Sequence, residues 1–152
     1  MSADIDLTPS LSRYRRAVVR YRRALAVLAA GVVPWLVIPY EDAVGLVFSV
    51  TLANTETLAT TSVYHYVFVY TRGLPTELLA WPTATLLYGA GVASAALSWV
   101  DREDRRVTAG LFALAAFDVC YAVLGFSSFR AGTIAYPLGA VFLALAAWTS
   151  RP

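Results

Sequence analysis

Apolar residues dominate four stretches of the chain, and short polar segments separate them. The stretches cover residues 24–40, 75–100, 107–126 and 133–149. A helix rises about 1.5 Å per residue and a bilayer's hydrocarbon core is about 30 Å thick, so runs of this length approach a full crossing. The pattern therefore predicts an all-α integral membrane bundle of four transmembrane helices.

A less regular region, residues 41–74, lies between the first two predicted spans. Residues 43–53 are apolar, but this run is too short to cross as a helix. Residues 64–70 are aromatic and β-branched, which suits either a strand or an interfacial helix. We interpret the region as external or re-entrant, and the sequence predicts no single conformation for residues 43–72.

A basic segment, residues 1–23, precedes the first predicted span. Thr8-Pro9 predicts a helix start, and an Arg-Tyr-Arg-Arg-Ala repeat begins at Arg13 and again at Arg20. On a helix this spacing gathers apolar side chains on one face, which suits an amphipathic arm on a cytoplasmic membrane surface. The apolar face comprises Leu11, Tyr14, Val18, Tyr21 and Leu25. The candidate contacts to anionic lipid headgroups are Arg13, Arg15, Arg16, Arg20, Arg22 and Arg23. Residues 24–152 would form the transmembrane domain.

Composition supports a lipid environment. Apolar residues make up 59% of the chain and charged residues 14%, against about 45–50% and about 25% in soluble domains. The single cysteine, Cys120, excludes an intrachain disulfide and a cysteine-based metal cluster. We find no metal-ligand spacing, no glycine-rich phosphate loop and no Ser/His/Asp set. We therefore predict that the protein is not an enzyme and binds no metal or cofactor, and that it does not bind nucleic acid.

The distribution of arginine predicts the orientation. All 12 basic residues are arginine, and with the N-terminus inside only Arg72 and Arg130 fall outside, as the positive-inside rule requires. Both termini are then cytoplasmic. The charged segment 101–106 is interpreted as a solvated inner loop. The paired arginines before the first span resemble a twin-arginine export signal, but no A-x-A cleavage site follows.

Tryptophan positions agree with this orientation. Trp35 and Trp81 fall toward the predicted outer interface, and Trp99 and Trp148 toward the inner one. Interfacial tryptophans are typical of membrane proteins.

Asp118 lies near the middle of the third predicted span, where an ionised carboxylate costs at least about 2.5 kcal/mol. One hypothesis is a proton or cation site. The other is a protonated Asp118 that holds helices in register by hydrogen bonding to a neighbour. The candidate intramembrane polar site comprises Asp118, Tyr88, Ser94 and Tyr121. An intramembrane enzyme would require Asp118, Tyr88 and His65 to share one polar cavity.

Small residues in the second and fourth predicted spans have the spacing that permits close helix contact. We predict that these faces pack together or against a partner. The candidate packing residues are Gly89, Gly91, Ala93, Ala95 and Gly139.

Several short motifs occur in a characteristic order. They are Val33-Pro34-Trp35, Thr71-Arg72-Gly73-Leu74-Pro75, Trp81-Pro82, Leu87-Tyr88, the charged segment from Glu103 to Gly110, and Ala135-Tyr136-Pro137-Leu138-Gly139. Together they resemble an uncharacterised family of small multi-pass membrane proteins of halophilic archaea, over roughly residues 25–148. The absence of lysine is compatible with that source. The resemblance implies no activity, ligand, cofactor or site residue.

The sequence thus predicts a multi-pass cell-membrane protein, most simply a non-enzymatic accessory or assembly subunit. The alternative is a small proton- or cation-coupled carrier or channel centred on Asp118. The expected partners are the lipid bilayer and other membrane proteins or further copies of the chain.

Overall fold

The computed structural model describes residues 8–40, 43–70, 79–129 and 134–152. Helix α1 is followed by a four-stranded sheet, a short helical segment and three further helices. The first half comprises α1 (Thr8–Val32), β1 (Leu36–Pro39), β2 (Val44–Val47), β3 (Thr51–Asn54) and β4 (Thr60–Ser62). The second half comprises α2 (Val63–His65), which continues as a π-helical turn (Tyr66–Tyr70), then α3 (Ala80–Ala96), a 3₁₀ turn (Leu97–Val100), α4 (Arg105–Phe129) and α5 (Leu138–Thr149).

The predicted four-helix transmembrane bundle is wrong. The described residues form five helices and an antiparallel sheet, and two of these helices are long and apolar enough to cross a membrane, Ala80–Val100 and Arg105–Gly125. Helix α5 has 12 residues, which give a length of only about 18 Å. The second and third predicted spans correspond to α3 and α4, whereas the first and fourth do not form full-length spans.

The first predicted span fails because α1 ends at Val32 and the chain then enters β1. Pro34 disfavours helical geometry at the residue before it, so the helix cannot simply continue. The carbonyl groups at this helix end are bound by side chains: the Trp35 indole N–H donates to Ala30 O at 2.7 Å, and the Ser49 hydroxyl donates to Gly31 O at 3.0 Å. Helix α1 also runs without a break through the predicted boundary between residues 23 and 24.

The sheet occupies most of the region that was predicted to be external or re-entrant. Its strands pair antiparallel in the order β1-β2-β3-β4. Leu36 pairs with Val47 across β1 and β2, and both side chains are buried. The apolar run 43–53 is therefore a hairpin with one face on the core. Residues 63–70 are helical, which resolves the choice between strand and helix at that segment.

Helices α3, α4, α5 and α1 pack in that order, each against the next. Buried residues recur at every third or fourth position along α4, as expected for one side of a helix. It comprises Thr108, Phe112, Ala115, Val119 and Ala122. The sheet joins the helices through a backbone bridge in which Val37 and Tyr136 exchange two hydrogen bonds, of 3.1 and 2.9 Å.

The two tryptophans that the sequence predicts at an outer interface lie inside the protein. Trp35 and Trp81 are buried, and the Trp81 indole N–H donates to Phe48 O at 2.9 Å, which fixes the β2–β3 turn against α3. Trp99 and Trp148 are exposed at the opposite end of the helices. The buried pair therefore holds the sheet on the helices and is no evidence for an outer aromatic belt.

Candidate functional site

An ion pair lies between α1 and the segment that joins α3 to α4. Arg23 Nη1 donates to Glu103 Oε2 at 2.8 Å, and Arg23 Nη2 also donates to Glu103 Oε1. The side chains are 12% and 6% exposed, respectively. Two parallel N–H···O contacts are the geometry in which a guanidinium binds a carboxylate most specifically. The pair joins residues that are distant in sequence and belong to different elements.

Three hydroxyl groups complete the arrangement. Arg23 Nε donates to Ser150 Oγ at 3.1 Å, and Thr108 Oγ1 donates to Glu103 Oε1 at 2.9 Å. Ser94 Oγ lies 2.7 Å from Thr108 Oγ1, and because a hydroxyl has a single proton, Ser94 is then the donor of that bond. We call Arg23, Ser94, Glu103, Thr108 and Ser150 the polar network. It links α1, α3, α4 and the end of α5.

Local backbone geometry places Glu103 in this network. The 3₁₀ turn after α3 ends at Asp101, whose φ of 54° is left-handed and reverses the chain. Asp104 then caps α4, since its carboxylate accepts from Arg106 N at 2.9 Å. With a reversal before it and a helix cap after it, Glu103 is turned back toward α1.

Arg23 also sets the charge state of Glu103. Its hydrogen bond lowers the pKa of Glu103 and outweighs burial, which acts in the opposite direction. The Thr108 hydrogen bond and the charges of Arg23 and Arg105 lower that pKa further. Glu103 is therefore ionised at neutral pH, and the network contains a true ion pair.

A second contact between helices lies nearer the sheet. The Tyr88 hydroxyl of α3 donates to Val27 O of α1 at 2.9 Å. The Tyr88 ring meets Trp35 edge-on, with 5.8 Å between ring centroids, and lies 6.0 Å from Phe112. Gly31 makes room for it, because a Cβ there would lie 3.2 Å from Tyr88 Cζ and nearer still to the hydroxyl. Tyr88 thus bridges α1 and α3.

The structure does not bring the predicted intramembrane polar residues together. Asp118 is half-buried on α4, and no hydrogen bond to it is seen within the described ranges. Tyr88 binds α1, and Ser94 binds Thr108. Tyr121 is 42% exposed. His65 is exposed at the end of α2, and its Nδ1 lies 3.0 Å from Ser62 Oγ.

The predicted headgroup contacts separate into three cases. Arg22 is exposed, whereas the Arg23 side chain turns inward to Glu103 and Ser150. The remaining side chains, Arg13, Arg15, Arg16 and Arg20, fall outside the described residues. The prediction for Arg23 thus needs correction, because its guanidinium already has partners within the protein.

Two of the predicted packing glycines make close contacts. A Cβ on Gly91 would lie 2.7 Å from Phe112 Cε1, and a Cβ on Gly139 would lie 2.5 Å from Trp35 Cα. Gly89 and Ala93 are exposed, and Ala95 is half-buried. Gly91 therefore packs α3 on α4, and Gly139 packs α5 on the turn before β1.

Residues 6–151 match a family described as Domain of unknown function (DUF8050). The chain belongs to this family. A comparison with curated proteins finds no match. The family description carries neither an activity nor a membrane role, so the resemblance to haloarchaeal membrane proteins stays a prediction. Within the part of the chain that the structure describes, no cluster of three or more His, Cys, Asp or Glu residues could hold a metal ion.

Sequence reasoning missed most of the network. Glu103 lies in a segment of six consecutive charged residues, which favoured a solvated loop. Thr108 and Ser150 lie in no sequence pattern that indicates a site. The available signal was the position of Arg23 as the last arginine before the apolar part of α1, where a guanidinium without a partner would be costly to bury.

Proposed function

We propose that the protein is a multi-pass membrane protein whose α3 and α4 cross the bilayer, and that it serves as a non-enzymatic accessory or assembly subunit. One observation carries the proposal: the apolar windows of the two candidate spans are only 11% and 28% buried. A core helix of a soluble protein is covered by its neighbours, and these are not. Hydrocarbon is the solvent that accepts such surfaces.

The exposed side chains on the two candidate spans are large and apolar. Leu86 on α3 is 75% exposed, and Phe117 and Leu124 on α4 are 68% and 66% exposed. Each span has 21 residues, or about 31 Å of helix, which matches a hydrocarbon core of about 30 Å. Length and surface chemistry therefore favour the same environment.

Helices α1 and α5 extend this apolar surface without spanning by themselves. Leu25, Leu28 and Val32 are exposed along α1, and Val141 and Leu145 along α5. Both helices pack in the same bundle as α3 and α4. We place them beside the spans, in contact with lipid, with the sheet covering the end that is opposite to the polar network.

The end that contains the polar network is proposed to be cytoplasmic. It carries a group of exposed arginines, which the positive-inside rule places in the cytoplasm. They are Arg22, Arg102, Arg105, Arg106 and Arg151. The exposed Trp99 and Trp148 lie at this end and suit the inner interface.

An assembly role is supported by the outward face of α3. Gly89, Ala90 and Ala93 are exposed there, between the larger Leu86 and Leu97. No atom lies within 4 Å of a Cβ built on Gly89, so the surface is open. Small exposed residues let a second helix approach closely in lipid.

Membrane insertion is tested by extraction and labelling. The expressed protein should stay with the membranes through alkaline carbonate treatment and should float with vesicles. In a Cys120→Ser background, a membrane-impermeant maleimide should label Thr57→Cys only from outside and Arg102→Cys only from inside. Both positions are exposed, Thr57 at the end that carries the sheet and Arg102 at the end that carries the polar network. Release by carbonate, or labelling of both positions from one side, would refute the proposal.

The assembly role needs a separate test. Cross-linking in native membranes should trap a partner helix near a cysteine at Ala93, and Gly89→Leu should prevent it. Cysteine at Leu124, on an exposed face of α4, is the control for random collision. Equal cross-linking from both positions would argue against a specific partner.

A further inference from the structure

The polar network ties the charged half of α1 to the rest of the molecule. Arg23 supplies every hydrogen bond of this tie, to Glu103 and to Ser150. The adjacent Arg22 is exposed and contributes none within the described residues. Among the side chains of this part of α1 that the structure describes, the guanidinium of Arg23 is thus the one that ties it to the bundle.

We propose that Arg23 exchanges between Glu103 and an anionic phosphate group, and that the exchange releases the charged half of α1 from the bundle. The inference rests on the proposed function, because it requires this end of α1 to lie at the surface of a membrane. The Arg23–Glu103 pair then acts as a latch that the lipid composition can open.

Phosphate chemistry follows from the way in which Arg23 is bound. A guanidinium fork binds a carboxylate and a phosphate with the same bidentate geometry. The latch is nearly enclosed but lies at the end of the bundle where Arg22, Arg102 and Arg151 are exposed. These cations attract anions to the rim of the latch. A phosphate that arrives there meets a group that already binds an anion.

Exchange is energetically reasonable for this pair. The loss of water around a buried ion pair offsets much of its attraction, so the pair adds little net stability compared with other satisfied arrangements. When Arg23 leaves, Glu103 keeps its hydrogen bond from Thr108. Both charges therefore have partners, or reach water, in the open state.

The released helix also has a surface ready for lipid. Val18, Tyr21 and Leu25 are exposed on α1 and follow one another at helical spacing. An exposed apolar stripe beside arginines is typical of helices that lie in the headgroup region. Opening the latch would add Arg23 to the residues that contact headgroups. The headgroup contact that the sequence predicts for Arg23 would then belong to the open state, and its pairing with Glu103 to the closed state.

The test is a distance measurement in vesicles. Nitroxides on the native Cys120, which is exposed on α4, and on Val19→Cys of α1 report how far the charged half of α1 lies from the bundle. In phosphatidylcholine vesicles we expect one short distance by pulsed electron paramagnetic resonance. Vesicles containing phosphatidylglycerol should add a population at longer distance. A third sample, phosphatidylcholine vesicles with added inorganic phosphate, distinguishes a free anion from a lipid headgroup. A population at longer distance in this sample would assign the exchange to phosphate in solution.

Matched variants identify the latch. Arg23→Gln and Glu103→Gln should give the longer distance in every vesicle, whereas Arg22→Gln should behave like the parent. The charge swap of Arg23→Glu with Glu103→Arg should restore the short distance, which a merely misfolded protein would not do. An Arg22→Gln effect as large as that of Arg23→Gln would overturn the proposal.

Flotation of the same samples tests the proposed membrane function separately from the latch. If the protein does not float with the vesicles, the proposed membrane function fails and the latch fails with it. If the protein floats and the distance between the two spin labels stays the same with anionic lipid and with inorganic phosphate, the latch alone is refuted.

Discussion

Replacing Gly31 by alanine should separate α1 from α3 at the Tyr88 bridge. The added Cβ would lie 3.2 Å from Tyr88 Cζ and nearer to the hydroxyl, so the tyrosine must move. Overpacking of this kind costs about 1–3 kcal/mol. Alanine favours a helix over glycine by about 0.5–1 kcal/mol. The net expected loss of unfolding free energy is about 1–2 kcal/mol.

A double-mutant cycle with Tyr88→Phe tests the cause of that loss. Tyr88→Phe alone removes the hydrogen bond to Val27 O, at a cost of about 1 kcal/mol. In the Phe background the hydroxyl is absent, so Gly31→Ala should be neutral or slightly stabilising. The coupling energy between the two positions should then equal the overpacking cost, about 1–3 kcal/mol.

The assay is equilibrium unfolding in mixed micelles, with Gly89→Ala and Gly110→Ala as controls. A Cβ at either control position meets no atom within 4 Å, so both variants should keep or gain stability. Equal destabilisation by Gly31→Ala in the Tyr and Phe backgrounds would refute the steric explanation. Stability gained by Gly31→Ala in the parent would refute the packing of Tyr88 against α1.

Three further predictions concern the polar network and the contact between α5 and β1. Glu103→Gln removes the charge-assisted hydrogen bonds that hold Arg23, and because the guanidinium can then turn to water, the variant should cost about 1.5–3 kcal/mol in the same assay; a cost below that of Asp104→Asn would contradict this. Because the pKa of Glu103 is lowered in the folded state, the ion pair stabilises fully above the unfolded-state pKa of about 4.3, and this stability is lost as the pH falls through the lower folded value. Melting temperatures between pH 6 and pH 3 should therefore fall less steeply in Glu103→Gln, and parallel curves would exclude the linkage. Gly139→Ala should destabilise by more than Gly31→Ala, since its Cβ would meet the Trp35 backbone at 2.5 Å, and the quenching of tryptophan fluorescence by acrylamide should rise as Trp35 loses its cover.

The sequence predicted α3 and α4 well and the sheet not at all. Residues 107–126 form an apolar run that is interrupted by Asp118, and α4 covers them fully. Residues 24–40 look equally apolar, yet they contain the end of α1, a turn and β1. Hydropathy measures burial or lipid contact and does not distinguish a buried strand from a helix. Pro34 follows closely on the end of α1 at Val32 and marks the place where helix gives way to turn and strand.

The polar network was beyond the reach of sequence patterns for a different reason. Arg23 and Glu103 are 80 positions apart, and no local periodicity relates them. The candidate site around Asp118 rested on the cost of one carboxylate in an apolar run, which identifies an unusual residue but not its neighbours. Tyr88 and Ser94 do join helices, though their partners are Val27 and Thr108 and not Asp118.

Two ties connect α1 and its continuation to α5, one at each end of the shorter helix. Ser150 holds Arg23, and Gly139 N donates to Trp35 O at 3.1 Å. Gly139 and Ser150 are separated by almost the same number of residues as Arg23 and Trp35, and the two segments run in opposite directions. Sliding of one past the other would break both ties together, whereas loss of the tie at Arg23 leaves the other as a fixed pivot. Because the Tyr88 hydroxyl also holds Val27 O, movement of α1 would then be confined to the part of the helix that precedes Val27.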